Sequence, residues 1–263
     1  MKNYRTYTYL SFLNIIFFMT PFTSAHSLED AINSQDRSPK NIARDQYRNP
    51  YKTLSFFEIK QDMKVVELSP GSGWYTEILA NYIHSPGMLT AAHFDKNSDR
   101  DFYIRMRNNF EKKINENPMY KNVSIVDLSS KLADKETLDA VLTFRNLHNW
   151  IGPQIDIIFS NAHKALKKGG VLGVVEHRAD PGTSLEEMKK TGYVTEAYAI
   201  ETAKKHGFTL VSKSEINANP KDTKNYPRGV WTLPPVLRLK EQDKEKYLNI
   251  GESDRMTLLF KKL

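Results

Sequence analysis

The sequence predicts an α/β fold: a mostly parallel seven-stranded sheet with helices on both faces and an antiparallel last strand. Three observations carry this expectation. Apolar runs of strand length alternate with amphipathic stretches along most of the 263 residues, which is the pattern of parallel strands joined by helical crossovers. The run "VVELSPGSG" turns through two glycines directly into helix-forming sequence. A last short run, Arg255 to Lys261, has no helix after it and pairs most simply with the strand before it. At about 150 residues per domain, this length permits one elaborated domain with a sizeable core.

The elements follow in order. Lys64 to Leu68 forms the first strand, and its helix begins near Trp74. Met88 to Phe94 is the second strand, Asp99 to Asn115 the next helix, Val123 to Val126 the third strand and Leu138 to Phe144 the fourth. Ile155 to Leu166 reads as a helix stopped by Gly169-Gly170, where left-handed backbone is expected at a helix end. Val171 to Val175 is the fifth strand. Gly192 to His206 reads as a helix ended by Gly207, and Phe208 to Ile216 as the sixth strand. No internal repeat or low-complexity segment is present.

The ends read differently. Lys2 and Arg5 precede an apolar stretch from Leu10 to Phe18, and Thr23-Ser24-Ala25 supplies small residues at cleavage spacing, the order of a signal peptide over residues 1–25. The stretch is shorter than the roughly 20 apolar residues of a membrane span. Export to the periplasm is therefore expected, with no stable membrane span after cleavage. Removing the leader takes away two basic groups and no acid, so the net charge of +7 falls by two to +5. Basic pairs such as Lys112-Lys113 and Lys204-Lys205 have acids close by, the mark of a solvated mixed surface rather than a nucleic-acid footprint. The absence of cysteine excludes disulfides, thiolate metal sites and a cysteine nucleophile. Residues 26–60 are expected to form an N-terminal helical segment and 61–263 the main domain, with 217–253 inserted as a lid.

Gly71 and Gly73 lie where the first strand turns into its helix, so backbone N–H groups face any ligand there at close approach. A dinucleotide fingerprint would place a third glycine at Thr76 and no acid in the strand, where Glu67 stands; a phosphate loop would need Gly-Lys-Ser/Thr. Asp95 closes the second strand, 22 positions beyond Gly73, where a carboxylate is placed to accept both hydroxyls of a ribose. Asp127 closes the third strand and is suited to an adenine amino group. A strand-end acid also serves as a loop residue or helix cap, but three on one edge of an open sheet lie where ligands bind.

These residues resemble a known family. Glu67-Leu68-Ser69-Pro70-Gly71-Ser72-Gly73 is similar to the first motif of class I S-adenosylmethionine-dependent methyltransferases, an acid followed by Gly-x-Gly. Asp95 matches that family's ribose acid, Asp127 its adenine-side acid, and "ALKKGGVLGVVEHR" its passage into strand five. The resemblance covers roughly residues 60–216 and 254–263, and it departs from the pattern at Pro70 and Tyr75. More narrowly, "RNPYKTLSFFEIK", "FRNLHNW", "NPKDT", "VWTLPP" and "IGESDRMTL" resemble exported bacterial proteins labelled predicted methyltransferases. It implies a Rossmann-like class I methyltransferase fold, S-adenosylmethionine as cofactor on Glu67, Gly71, Gly73, Asp95 and Asp127, and a small-molecule substrate.

Chemistry is expected beyond strands four and five. Arg145, Asn146 and His148 are the catalytic candidates, with His148 as base; Trp150, His177 and Arg178 are candidate substrate contacts. His148, Glu176 and His177 would alternatively hold a metal such as zinc, although no ligand spacing supports it and no metal is assigned. The segment from Asn217 to Ser253 is too long for a hairpin loop and is expected over the site, with Arg228 and Trp231 touching substrate. Asp45 to Pro50 is expected to close the other side, where Arg48 pairs with an acid of the site or caps a helix. Two further functions stay open on this scaffold: a non-catalytic nucleoside- or metabolite-binding protein, and a hydrolase or lyase using His148 or His177.

Overall fold

The computed structural model describes residues 27–263. The leader expected over residues 1–25 lies outside the described residues. The strands are β1 (Lys64–Leu68), β2 (Met88–His93), β3 (Val123–Asp127), β4 (Leu138–Phe144), β5 (Leu166–His177), β6 (Phe208–Ser214) and β7 (Arg255–Lys262). They form one sheet in the order β3-β2-β1-β4-β5-β7-β6. Strands β1 to β5 pair in parallel, whereas β7 inserts between β5 and β6 and is antiparallel to both.

The order reverses between β1 and β4, which leaves a crevice at their carboxyl ends. Register makes that crevice a site: Glu67 pairs with Leu142 and Leu68 with Thr143, so the two strands finish almost level. Alternate side chains go to opposite faces of the sheet. Val66, Leu68, Val141, Leu172 and Leu258 pack with Phe159 and Phe208, while Val65, Ala140, Leu142 and Leu259 pack with Leu54, Phe57, Trp74 and Ile78. Both faces are covered, which explains why the buried positions of the central strands are mainly apolar.

Helices α1 (Leu28–Ile32), α2 (Pro39–Ile42), α3 (Asp45–Arg48) and α4 (Pro50–Phe56) precede β1. Ser27 and Asp30 form a reciprocal capping box at the first of them. This segment is fastened to α5 (Trp74–Tyr82), where Trp74 Nε1 donates to Asn41 O at 2.9 Å. Helix α6 (Asp101–Glu116) follows β2, and α7 (Leu147–Trp150) and α8 (Pro153–Ala165) follow β4. Helices α9 (Leu185–Thr191) and α10 (Glu196–Lys205) lie between β5 and β6, and α11 (Lys244–Ile250) precedes β7.

Two sequence expectations are corrected. Gly169-Gly170 does not stop a helix: α8 ends at Ala165, β5 begins at once, and the glycines sit in a bulge between the pairs Leu138–Leu166 and Ala140–Val171. Left-handed backbone is needed there, at φ +78° for Gly169, but to carry extra residues past a paired strand. The helix expected over 192–206 is two helices. Gly192, at φ +77°, closes α9, Val194 forms a bridge with Arg178, and Thr195 then caps α10 by accepting from Tyr198 N.

Close packing at the sheet centre has a measurable consequence. A Cβ on Gly173 of β5 would stand 2.7 Å from Leu142 Cδ2 and 2.9 Å from ring carbons of Phe57. Gly173→Val is expected to cost about 1–3 kcal/mol by overpacking, read as a lower urea midpoint at unchanged slope.

Candidate functional site

Two non-glycine residues in left-handed backbone mark the crevice: Ser69 at φ 48° after β1 and Arg145 at φ 64° after β4. Side chains other than glycine, asparagine and aspartate rarely take this conformation, and such strain gathers at functional sites. It is held on both sides. Ser69 N donates to Ala92 O at 2.7 Å, and Arg145 N to Val175 O at 2.6 Å. Asn146 then ties the two strand ends together, its amide nitrogen lying 3.2 Å from Leu68 O, Ser69 O and Thr143 Oγ1. Asn146 thus acts as a clamp for the two turns.

One turn further, the side chain of His148 meets Glu176, which is fully buried near the end of β5. His148 Nδ1 lies 3.0 Å from Glu176 Oε1, and the same carboxylate accepts from Leu147 N at 2.5 Å and His177 N at 2.8 Å. An ionised carboxylate only accepts, so Nδ1 carries the hydrogen and Nε2 is left as the basic nitrogen of His148. His177 faces the same space, with Nδ1 2.5 Å from Ser253 Oγ; burial first, with the nearby Arg145 guanidinium adding to it, pushes it well below the usual histidine range.

Two cavities meet at this dyad. One, of about 370 Å³, is bounded by Ser69, Phe94, Tyr103, Asn146 and Trp150; the other, of about 290 Å³, by Arg44, Arg145, His177, Pro234, Pro235 and Glu252. His148, Asn149 and Trp231 line both. Trp231 comes from a 3₁₀ turn, Gly229–Thr232, and stands edge-on to His148 at 5.9 Å between ring centres. The segment 217–253 is anchored beside the sheet by Asn217, whose amide donates to Thr53 Oγ1 and Thr257 Oγ1 at 3.0 Å.

The second cavity has an unusual charge balance. Glu252 is contacted by Arg44 Nε at 2.6 Å, Arg255 Nη2 at 3.2 Å, Arg48 Nε at 3.3 Å and Arg145 Nη1 at 3.7 Å. Burial opposes its ionisation, but Arg48, Arg255, Arg145 and Arg44 together hold the carboxyl down to about 2. The arginines feel the reverse: burial lowers Arg145 to about 10, assisted by Arg255 and Arg44 and resisted by Glu252.

The structure brings Arg145, Asn146, His148, Trp150, His177 and Trp231 to these cavities and leaves other expected site residues elsewhere. Arg178 pairs with Glu215, Asp254 and Glu196, and Arg228 is exposed outside both cavities. Gly71 and Ser72 line a third cavity of about 280 Å³ on the far side of the turn, where His93 Nε2 contacts Gly71 O at 3.1 Å and Lys113 Nζ donates to Ser72 O at 2.9 Å. Gly73, at φ 83°, caps α5. Asp95 accepts from Ser129 N at 3.1 Å and from Ser129 Oγ; Asp127 accepts from Arg107 Nη1 at 2.8 Å. Glu67 lies inside the sheet and accepts from Thr76 Oγ1 at 2.6 Å.

Residues the sequence reading did not single out for the site are Arg44, Glu252 and Arg255. Glu252 and Arg255 had a signal in "GESDR", four polar residues leading into the last strand on the ligand side; Arg44 had none. The ligand atoms of His148, Glu176 and His177 also come within 4.8 Å of one another, a proximity that sequence spacing did not suggest. Glu176 already serves two backbone donors there, and the neighbouring guanidiniums repel a cation, so the arrangement suits a proton relay better than a metal.

Glu67 supplies a test of this geometry. Burial raises its pKa from 4.5 to about 7, against a smaller opposing effect of the Thr76 hydrogen bond. Between those values the native state holds a proton that the unfolded chain lacks, so this contribution is complete below about 4.5 and lost as pH rises through about 7. Glu67→Gln is expected to remove that slope and to gain about 2–3 kcal/mol relative to wild type at pH 8, in urea titrations across pH.

No protein-family model matches the chain, and no curated protein matches it in sequence. Solved structures do resemble it. A SAM-dependent methyltransferase from Aquifex aeolicus superposes with a TM-score of 0.57 at 16% identity, covering 90% of this chain and 99% of that one. Geranyl diphosphate C-methyltransferase from Streptomyces coelicolor A3(2) gives 0.58 at 11% identity, covering 99% and 94%. The [4+2]-cyclase SpnF gives 0.58 at 14%, covering 82% and 80%. The strand order with its antiparallel seventh strand, the glycine turn after β1 and these superpositions agree: this chain has the Rossmann-like fold of the class I S-adenosylmethionine-dependent methyltransferases.

Proposed function

We propose that the protein is a methyltransferase that moves a methyl group from S-adenosylmethionine to a small molecule, with His148 as base. The observation that carries this reading is the His148–Glu176 dyad, placed where a cavity beside the β1 turn meets a second cavity under Trp231. The neighbours named above include enzymes titled as SAM-dependent, and the cofactor fits the first cavity on two grounds. Its volume falls in the range of roughly 300–1,000 Å³ for small-molecule sites. Ser69 Oγ, on its wall, is buried without a hydrogen-bond partner.

When bound, S-adenosylmethionine supplies a methyl group on a sulfonium, open to direct displacement. The chain's own part is binding, alignment and proton removal. Asp95 would accept from the ribose and Asp127 from the adenine amino group, each carboxylate retaining acceptor capacity beyond its present partners. Ser69, which opens the turn after β1 and lines this cavity, would hold the amino-acid end. Trp150 and Trp231 wall the reacting centre with apolar surface, which excludes water and aligns the acceptor. His148 Nε2 would take the acceptor's proton while Glu176 stabilises the resulting imidazolium. Asn146, the clamp of the two turns, is a positioning residue in this scheme.

With methyl-labelled S-adenosylmethionine and an extract of small metabolites, wild type is expected to transfer label. His148→Ala is expected to lower turnover by roughly 10²–10⁴-fold with cofactor affinity nearly unchanged. A wild type that labels nothing would overturn the reading in favour of a binding protein. Calorimetric titration with S-adenosylhomocysteine checks the cofactor half: Asp95→Ala is expected to lose about 1.5–3 kcal/mol per charge-assisted hydrogen bond. Unchanged binding by a folded variant would remove Asp95 from the site.

We also propose export to the periplasm, supported by the basic start, short apolar run and small-residue site within residues 1–25. No helix among the described residues is long and apolar enough to cross a membrane. Mature protein from the native host is expected to begin near His26, which leaves the Ser27–Asp30 capping box whole. N-terminal sequencing that finds Met1 retained would count against export.

A further inference from the structure

Four guanidiniums surround one carboxylate at the wall of the 290 Å³ cavity. Among the described residues, Arg44, Arg48, Arg145 and Arg255 have no carboxylate partner except Glu252. One negative charge therefore faces four positive ones in a place where Glu252, Arg48 and Arg255 have side chains only 2–3% exposed. Buried like charges raise the free energy of the native state unless a counter-charge is supplied. The hydrogen bonding is incomplete in the same sense. Arg44 Nη2 and Arg48 Nη2 are buried and have no partner, although guanidinium nitrogens only donate and a buried donor without an acceptor costs about 1–3 kcal/mol.

The placement of the four is also uneven. Arg48 and Arg255 stand behind Glu252, whereas Arg44 and Arg145 line the cavity, each with 22% of its side chain exposed. Arg145 is fixed there by strained backbone, at φ 64°. Trp231, Pro234 and Pro235 supply an apolar wall to the same space, and His148 lies at its boundary with the first cavity.

We propose that this cavity is an oxyanion subsite: Arg44 and Arg145 bind the carboxylate or phosphate of a small molecule whose body lies against Trp231. The subsite stands on the arginine geometry alone; that its occupant is the methyl acceptor, with its nucleophile reaching His148, rests on the methyltransferase reading. An anion bound there supplies the missing counter-charge, and planar guanidiniums match either oxyanion with paired hydrogen bonds. The protein would thus select acceptors by a negative charge set one cavity away from the reacting atom.

The test uses purified protein with no S-adenosylmethionine added. Sodium phosphate and sodium benzoate are titrated separately at ionic strength held constant with sodium chloride, and the unfolding temperature is followed. Wild type is expected to show a saturable rise of several degrees, since a ligand that binds only the native state stabilises it by mass action. The probe with the lower midpoint names the class, phosphate ester or carboxylate. Arg145→Gln is expected to abolish the rise while unfolding no lower than wild type without anion, because it removes repulsion and only a 3.7 Å contact with Glu252. Arg44→Gln gives a second reading of the same loss should Arg145→Gln fail to fold. A rise that does not saturate, or that persists in both variants, means an adventitious ion only and overturns the subsite. Label transfer without anion binding overturns the subsite alone; anion binding without label transfer leaves the subsite and removes the methyltransferase reading.

Discussion

Glu252 is the point on which the site depends. Its carboxylate joins the loop before α3, α3 itself, the end of β4 and the start of β7, reaching residues as far as 208 positions away along the chain. The short helix α3 and the loop before it have no long regular element that would place them unaided, whereas β4 and β7 are held by the sheet. Removing one partner of a buried ion cluster leaves charges that water no longer solvates, which is why such clusters break at high cost even when forming them gains little. The carboxyl stays ionised to about 2, so this tie is present above the ordinary carboxylate range and is lost only as pH falls through that value.

In the proposed subsite the same cluster would serve position and recognition together. If Glu252 balanced its surroundings, the arginines would form a structural knot of no further interest. It does not balance them, and the excess is positive, faces a cavity and includes donors without acceptors. A few ångströms away the local design is opposite in sign: Glu176 is satisfied by two backbone donors and a histidine. In the scheme proposed above, one half of the crevice attracts anions and the other removes a proton. Both sit at the reversal of strand order, the one place in an open α/β sheet where neighbouring strand ends diverge and leave room for a ligand.

The fold does not choose the chemistry by itself. Among the structures it resembles, one is titled a cyclase and others methyltransferases. In this chain the proposed chemistry rests on side chains projecting from strand ends and from the segment over them: His148, Glu176, Arg145 and Trp231. Ser69 and Arg145 in left-handed backbone show how tightly those ends are set, since neither residue takes that conformation without surrounding hydrogen bonds to enforce it.

The sequence by itself determined the sheet and its edge. Strands β1 and β4 were legible to the residue because both lie in the buried centre, where runs of mainly apolar residues stand out against the polar turns around them. The position of His148, Trp150 and His177 at the crevice was legible because they lie at strand ends, and that of Trp231 because it lies in a long insertion. The glycine signals were ambiguous: Gly169 and Gly192 both needed left-handed backbone, but the same conformation serves a bulge in one and a helix end in the other. Only tertiary structure decided which charges meet. Glu252 and Arg44 are 208 positions apart, and Glu176 and His148 are 28 apart, so no local spacing links them. Their pairing follows from the sheet order, which brings β7 beside β5 and the N-terminal helices over the strand ends. The charge excess that defines the second cavity is therefore a property of the folded arrangement, invisible in a chain whose acids and bases are evenly mixed.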